Sequence, residues 1–334
     1  MSRHAAFPYQ RHDADAVASA GERLTVRVVL HIGSTKTGSS ALQAALHERR
    51  ADLASIGAHY SASGVAAGAH HVLAASIHPG AWRMHADALP EDRDAYFAST
   101  VATIKEEAAA LGAHSILLSS EYFWGSFPAQ LYKRFAEAFR PATFEVVAFV
   151  RRPDEWVASS YLQAVKSGEH RPFNEWFEHV MGRWTSGLQY FRVINRWNYF
   201  LGAEKVHVLR YADTKANVYK AFCDALELQP DTTAPIRSVN PSPSAESVGL
   251  LLAINRSEMD DAEKAAQRRR IMLSQGAGAP ADTVMSEAER AAVFRLTRQS
   301  DQLLGRVFLH DGRPPFPPAA PDLPVALPPS ENTH

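Results

Sequence analysis

The chain has 334 residues, 46% hydrophobic and 21% charged, with a formal net charge of −1. That balance suits a globular chain with a large core and excludes a global field that would attract nucleic acid or an anionic membrane, so any anion site must be local. The single cysteine, Cys223, excludes an intramolecular disulfide and a multi-cysteine zinc cluster, and it falls in an apolar helical pattern that predicts a small buried residue.

Residues 1–23 are polar, rich in His, Arg and Ala, and without periodicity, which predicts a flexible arm. With no signal-type apolar core there, and no run near the roughly 18 apolar residues of a membrane helix, the expectation is a cytoplasmic chain with no integral membrane segment. Arg27 to Ile32 reads as a strand. The helix pattern behind it carries Ala41, Leu42, Ala45 and Leu46 on one face. Ile56 to Gly68, rich in Gly, Ser and Ala, reads as a loop or lid, and His70-His71-Val72-Leu73-Ala74-Ala75 as the start of a short helix.

A helix is expected from Asp94 to Leu111, closed by Gly112, then a buried strand from Ser115 that ends in Ser119-Ser120-Glu121. After a helix at Ala129 to Phe139, the strand Phe144 to Val150 runs into Arg151-Arg152-Pro153-Asp154-Glu155, a helix start with Pro and acids in its first turn. Most of the aromatics between Phe173 and Phe200 read as helix packing, with one or two left as candidates to line an acceptor cleft. Val206 to Leu209 predicts a strand ending in Arg210-Tyr211, followed by helices at Asn217 to Leu228, Ala245 to Asn255 and Ser286 to Leu309. The run Arg268-Arg269-Arg270 reads as a solvated charge run, and the tail 312–334, with eight prolines, as extended or disordered. Strands alternating with helices predict one α/β domain over 24–311: a three-layer, doubly wound, mostly parallel sheet.

Between the first strand and helix lies Gly33-Ser34-Thr35-Lys36-Thr37-Gly38-Ser39-Ser40. A strand, a Gly-bounded turn and a helix N-terminus make an anion site, because unpaired amides and the positive end of the helix dipole converge there. In a nucleotide-triphosphatase loop the Lys follows the second Gly and the next Ser or Thr holds magnesium. Here the Lys stands inside the turn at Lys36 and Ser39 follows Gly38, which weakens the magnesium logic.

The loop and the Arg151 segment together resemble the two cofactor motifs of sulfotransferases that use 3′-phosphoadenosine 5′-phosphosulfate (PAPS). The family's first loop reads approximately T-x-K-[ST]-G-[ST]-[ST]. Here Thr35, Lys36, Thr37, Gly38, Ser39 and Ser40 match with x absent, so either the loop is one residue tighter or Ser34 is the aligned hydroxyl. The second motif, R-x-P with a Ser eight residues after the Arg, is matched by Arg151, Pro153 and Ser159. The resemblance implies a P-loop-like sulfotransferase fold. It also implies that Lys36 and Thr37 to Ser40 hold the 5′-phosphosulfate, Arg151 and Ser159 the 3′-phosphate, and Tyr211 the adenine. The product would be 3′-phosphoadenosine 5′-phosphate (PAP), with no metal required.

An acceptor hydroxyl needs a base. Glu121 is the first candidate, at a strand end where partial burial would raise its pKa, with His71 and His70 next. The acceptor is expected to be a small molecule or glycan, with a carbohydrate hydroxyl preferred by the resemblance. The competing classes are a P-loop kinase or nucleotidase using magnesium-ATP, which would require an Asp at a strand end, and a noncatalytic nucleotide-binding scaffold. The sequence assigns no oligomeric state.

Overall fold

Along the first strand, β1 (Val26–His31), Val28 and Leu30 face one side and Val29 the other, and all three are fully buried. A strand apolar on both faces needs helices on both sides. The computed structural model describes residues 25–82, 90–232, 243–274 and 284–316. The expected arm 1–23, residues 233–242 and the tail beyond 316 lie outside them.

After β1 come α1 (Ser39–Glu48), α2 (Arg50–Ser55), the two-residue β2 (Ala58–His59), α3 (His71–Ile77), α4 (Pro79–Trp82) and α5 (Arg93–Ala110). Next are β3 (Ser115–Ser119), α6 (Ala129–Phe139), β4 (Ala142–Val150), α7 (Pro153–Lys166), α8 (Phe173–Leu188) and α9 (Tyr190–Leu201). The order closes with β5 (Lys205–Arg210), α10 (Tyr211–Thr214), α11 (Val218–Ala225), α12 (Ala245–Arg256), α13 (Asp261–Ser274) and α14 (Glu287–Phe308).

The sheet has five strands in the order β2-β3-β1-β4-β5, every pair parallel. β1 is central, and the chain reaches β3 on one side of it and β4 on the other. The ends of β1, β3, β4 and β5 therefore open on one crevice, where ligands bind in such sheets. One face is covered by α5, α6 and α9 with Phe97, Phe135 and Trp197, the other by α1 and α11 with Leu42, Leu46, Phe222 and Cys223. This is the expected three-layer α/β architecture.

A third apolar cluster lies beside the sheet, with Trp156, Tyr161 and Val165 of α7 packed against Phe173 and Trp176 of α8, Leu251 of α12 and Val293 of α14. α7 starts at Pro153, carries Asp154 and Glu155 in its first turn and Lys166 in its last, as the helix dipole favours. Asp154 is fully buried and takes Arg152 through both oxygens, at 2.7 and 2.9 Å, together with Arg290 of α14. The segment expected as a loop or lid, 56–68, contains β2 and is tied to α5 where Glu107 accepts from Ser61 and, at 2.9 Å, from Ser63.

Trp197 is fully buried among Phe123, Phe127, Tyr132 and Phe135, and its Nε1 donates to the Phe123 carbonyl at 2.9 Å. It thereby braces the turn after β3. Trp197→Ala is expected to lower the unfolding free energy by about 3–5 kcal/mol, measured by urea titration.

Candidate functional site

The loop after β1 is built from its own side chains. Thr37 Oγ1 donates to the Ser34 carbonyl at 2.6 Å, Ser39 Oγ to the same oxygen at 3.0 Å, and Ser34 Oγ to the Thr35 carbonyl at 3.3 Å. These hydroxyls, expected as ligand contacts, bond within the loop, while Ser40 is exposed. Lys36 (φ 64°) and Gly38 (φ 80°) stand in the left-handed region. A Cβ at Gly38 would meet Val218 at 3.0 Å and Tyr211 at 3.2 Å, so glycine here serves both the backbone conformation and a close approach.

The next two carbonyls of the loop are held from the other side. Trp156 Nε1 donates to Thr35 O at 2.9 Å and Arg151 Nη1 to Lys36 O at 3.2 Å. In a trans peptide the carbonyl and the following N–H point in opposite directions, so these bonds also set the directions of the Lys36 and Thr37 amides. Among the described residues no acceptor takes the backbone N–H of Lys36, Thr37, Ser39, Ser40 or Ala41. A cluster of amides at a helix N-terminus is the donor set that a phosphate or sulfate oxygen requires.

Arg151 and Glu121 converge on this loop beside its own Lys36. Arg151 lies 5.4 Å over the Tyr211 ring and pairs with Glu155 at 3.3 Å, so the fork, the aromatic ring and the loop form one wall. Lys36 Nζ donates to Gln163 Oε1 on α7 at 3.1 Å. Burial pulls its pKa below the usual lysine range, with Lys166 and Arg151 adding to that and the Glu121 charge opposing it. Ser159 sits on α7 four residues after Glu155 and four before Gln163, on the helix face that carries both contacts.

Glu121 begins the turn after β3, and Ser120 rather than Glu121 caps that turn, accepting from Tyr122 N at 3.1 Å. Burial raises the Glu121 pKa above the usual carboxylate range, while the Lys36 charge and the Ser39 hydroxyl beside it pull the other way. The sequence candidates Lys36, Glu121, Arg151 and Tyr211 are thus brought to one crevice.

The two histidines part company. His71 accepts or donates through Nδ1 at Ser120 Oγ, 2.8 Å away, and its ring lies 4.7 Å from Tyr122 beside Glu121. His70 is fully buried. Its Nδ1 accepts from the Ser119 backbone N–H at 3.2 Å, and burial lowers its pKa to about 3. His31, fully buried with Nδ1 at 2.7 Å from Ser119 Oγ, is lowered to about 3 by the same cause.

The basic run divides as well. Arg269 and Arg270 are exposed on α13, while Arg268 donates to Asn255 Oδ1 at 3.1 Å. At the far end of the described chain, Arg210 binds Asp311 through two bonds, at 2.6 and 3.0 Å, and the Pro315 carbonyl at 3.0 Å, so residues 311–316 are docked beside Tyr211. Gln163 and Trp156 are the site residues that the motifs do not point to. Among the described residues, no helix is long and apolar enough to cross a membrane.

No family model matches the chain, and no curated protein matches it. A solved structure that resembles it is the crystal structure of a sulfotransferase from Alicyclobacillus acidocaldarius, 14% identical, with a TM-score of 0.39 over 74% of this chain and 96% of that one.

His31 and His70 are neutral in the folded chain and free to protonate when unfolded, so below pH 6.5 the unfolded state binds more protons and stability falls with pH down to about 3. Each is expected to remove about 2 kcal/mol between pH 6.5 and 5. Urea titrations at the two pH values check this, and His31→Asn is expected to flatten the slope by about one proton.

Proposed function

We propose that the chain transfers a sulfuryl group from PAPS to an acceptor hydroxyl, and the observation that carries this reading is the placement of Lys36 between the free loop amides, Arg151 and Glu121. A cationic, amide-rich cradle suits the dianionic phosphosulfate of the donor, and the glycine at position 38 lets backbone and Tyr211 come close together. The donor supplies an activated sulfuryl group whose leaving group is the 5′-phosphate.

In this reading the amides of Lys36 to Ala41 and the Ser40 hydroxyl hold the phosphosulfate oxygens. Lys36 neutralises charge that grows on the bridging oxygen as the S–O bond breaks. Arg151 and Ser159 hold the 3′-phosphate, and Tyr211 lies against the adenine. Glu121 takes the proton of the acceptor hydroxyl as its oxygen bonds to sulfur, leaving PAP and a sulfate ester. Its raised pKa suits a base near neutral pH, whereas His70 is enclosed and His71 forms the wall beside it. That wall, with Tyr122, suits a small-molecule or glycan acceptor.

Calorimetry is expected to show PAP binding without added metal. Binding of magnesium-ATP in its place would move the chain to the kinases, and binding of neither to a scaffold. Lys36→Ala and Arg151→Ala are expected to abolish PAPS-dependent transfer with the circular dichroism spectrum unchanged, and wild-type rates in either would overturn that motif's role. Glu121→Gln is expected to lower the rate by about 10² or more at unchanged PAP affinity. A small effect, together with a large one from His71→Ala, would move the base to His71.

The pH–rate profile is expected to rise as Glu121 deprotonates, above the ordinary carboxylate range. It is expected to fall as Lys36 loses its proton, below the ordinary lysine range.

A further inference from the structure

The geometry points to Gln163 as a positioning residue that fixes the Lys36 ammonium for sulfuryl transfer through an uncharged acceptor, an inference that rests on the proposed activity. Lys36 leaves the loop at a left-handed residue on a flexible four-carbon stem, and its Nζ donates to Gln163 Oε1 at 3.1 Å. Gln163 Nε2 donates in turn to Ser167 Oγ at 3.4 Å, which keeps the carboxamide oxygen, rather than its NH2, toward the ammonium. The holder stands on α7, four residues after Ser159, so the helix that carries the proposed 3′-phosphate contact also fixes the lysine.

The charge around Lys36 explains an amide in this place. Facing the ammonium are Glu121 from the turn after β3, Arg151 from the end of β4 and Lys166 from the last turn of α7. A carboxylate at position 163 would add a second anion to that set and compete with donor oxygens for the ammonium. An amide oxygen occupies one of the three Nζ protons, leaves the full positive charge, and frees the other two protons for the oxygens of the leaving phosphate. It also removes rotamer freedom that the lysine would otherwise lose at the moment of transfer.

The test uses the full chain with Gln163→Met, of similar length without an acceptor, and Gln163→Glu. Two readouts are taken: kcat and PAP affinity against pH, and the pH dependence of Lys36 acetylation by acetic anhydride in the nucleotide-free protein, followed by peptide mass spectrometry.

Gln163→Met is expected to lower kcat about tenfold, with PAP affinity held within about twofold. Gln163→Glu is expected to lower kcat at least as far, and to shift both the acetylation midpoint of Lys36 and the alkaline limb of the rate profile upward by about one pH unit. A Gln163→Met enzyme with wild-type kcat, or an unshifted Lys36 midpoint in Gln163→Glu, would overturn the assignment. Absence of PAP binding by the wild-type chain would instead overturn the transferase reading, which the acetylation readout does not depend on.

Discussion

Two donors, the Trp156 indole and the Arg151 guanidinium, hold the carbonyls of Thr35 and Lys36, and the site depends on those two bonds. A loop at the end of a strand presents as many carbonyl dipoles as amide dipoles, and an anion is repelled by the first and attracted by the second. Anchoring the carbonyls toward α7 separates the two sets. With the Ser34 carbonyl taken by Thr37 and Ser39, three successive peptide units are oriented by side chains before any ligand arrives. Preorganisation of this kind is where electrostatic stabilisation of a reacting anion originates.

The position of α7 therefore sets the geometry of the loop. The helix is pressed into place by an aromatic cluster beyond the sheet and fastened at its start by buried Asp154 between Arg152 and Arg290. Removing one partner from such a buried group leaves an uncompensated charge, so this node is sensitive to truncation. Neighbouring arginines of one dipeptide thus divide the work: Arg152 fastens the helix and Arg151 faces the loop.

The buried strands were legible because their apolar runs are short and bounded, and the helix at Pro153 because Pro and two acids mark its start. The loop was legible as a tight turn between β1 and α1 from its glycines, Gly33 and Gly38, both of which stand at positive φ. Other features were not. The inward turn of the Ser34, Thr37 and Ser39 hydroxyls depends on backbone geometry that composition does not encode. β2 is too short to carry a period, and its segment is fixed by Glu107 from another helix. The pairing of Lys36 with Gln163 spans a sequence separation of 127 residues, and a glutamine inside a helix carries no motif. His70 and His71 are adjacent in sequence, yet His70, just ahead of α3, is sealed by two bonds to Ser119 at the end of β3, while His71 borders the crevice, a contact that sequence order does not encode.

A parallel sheet leaves two open borders, and here they are unequal. β2 offers only two residues, whereas β5 offers six and ends at Arg210. The guanidinium of Arg210 gathers the carboxylate of Asp311 and the carbonyls of Arg313, Pro314 and Pro315 against that end. Proline has no amide hydrogen to offer a neighbouring strand, so the segment that covers this end of the border cannot itself extend the ladder. Pro314 and Pro315, held at the C-terminal end of β5, thus offer no amide hydrogen to a strand of a second molecule arriving there.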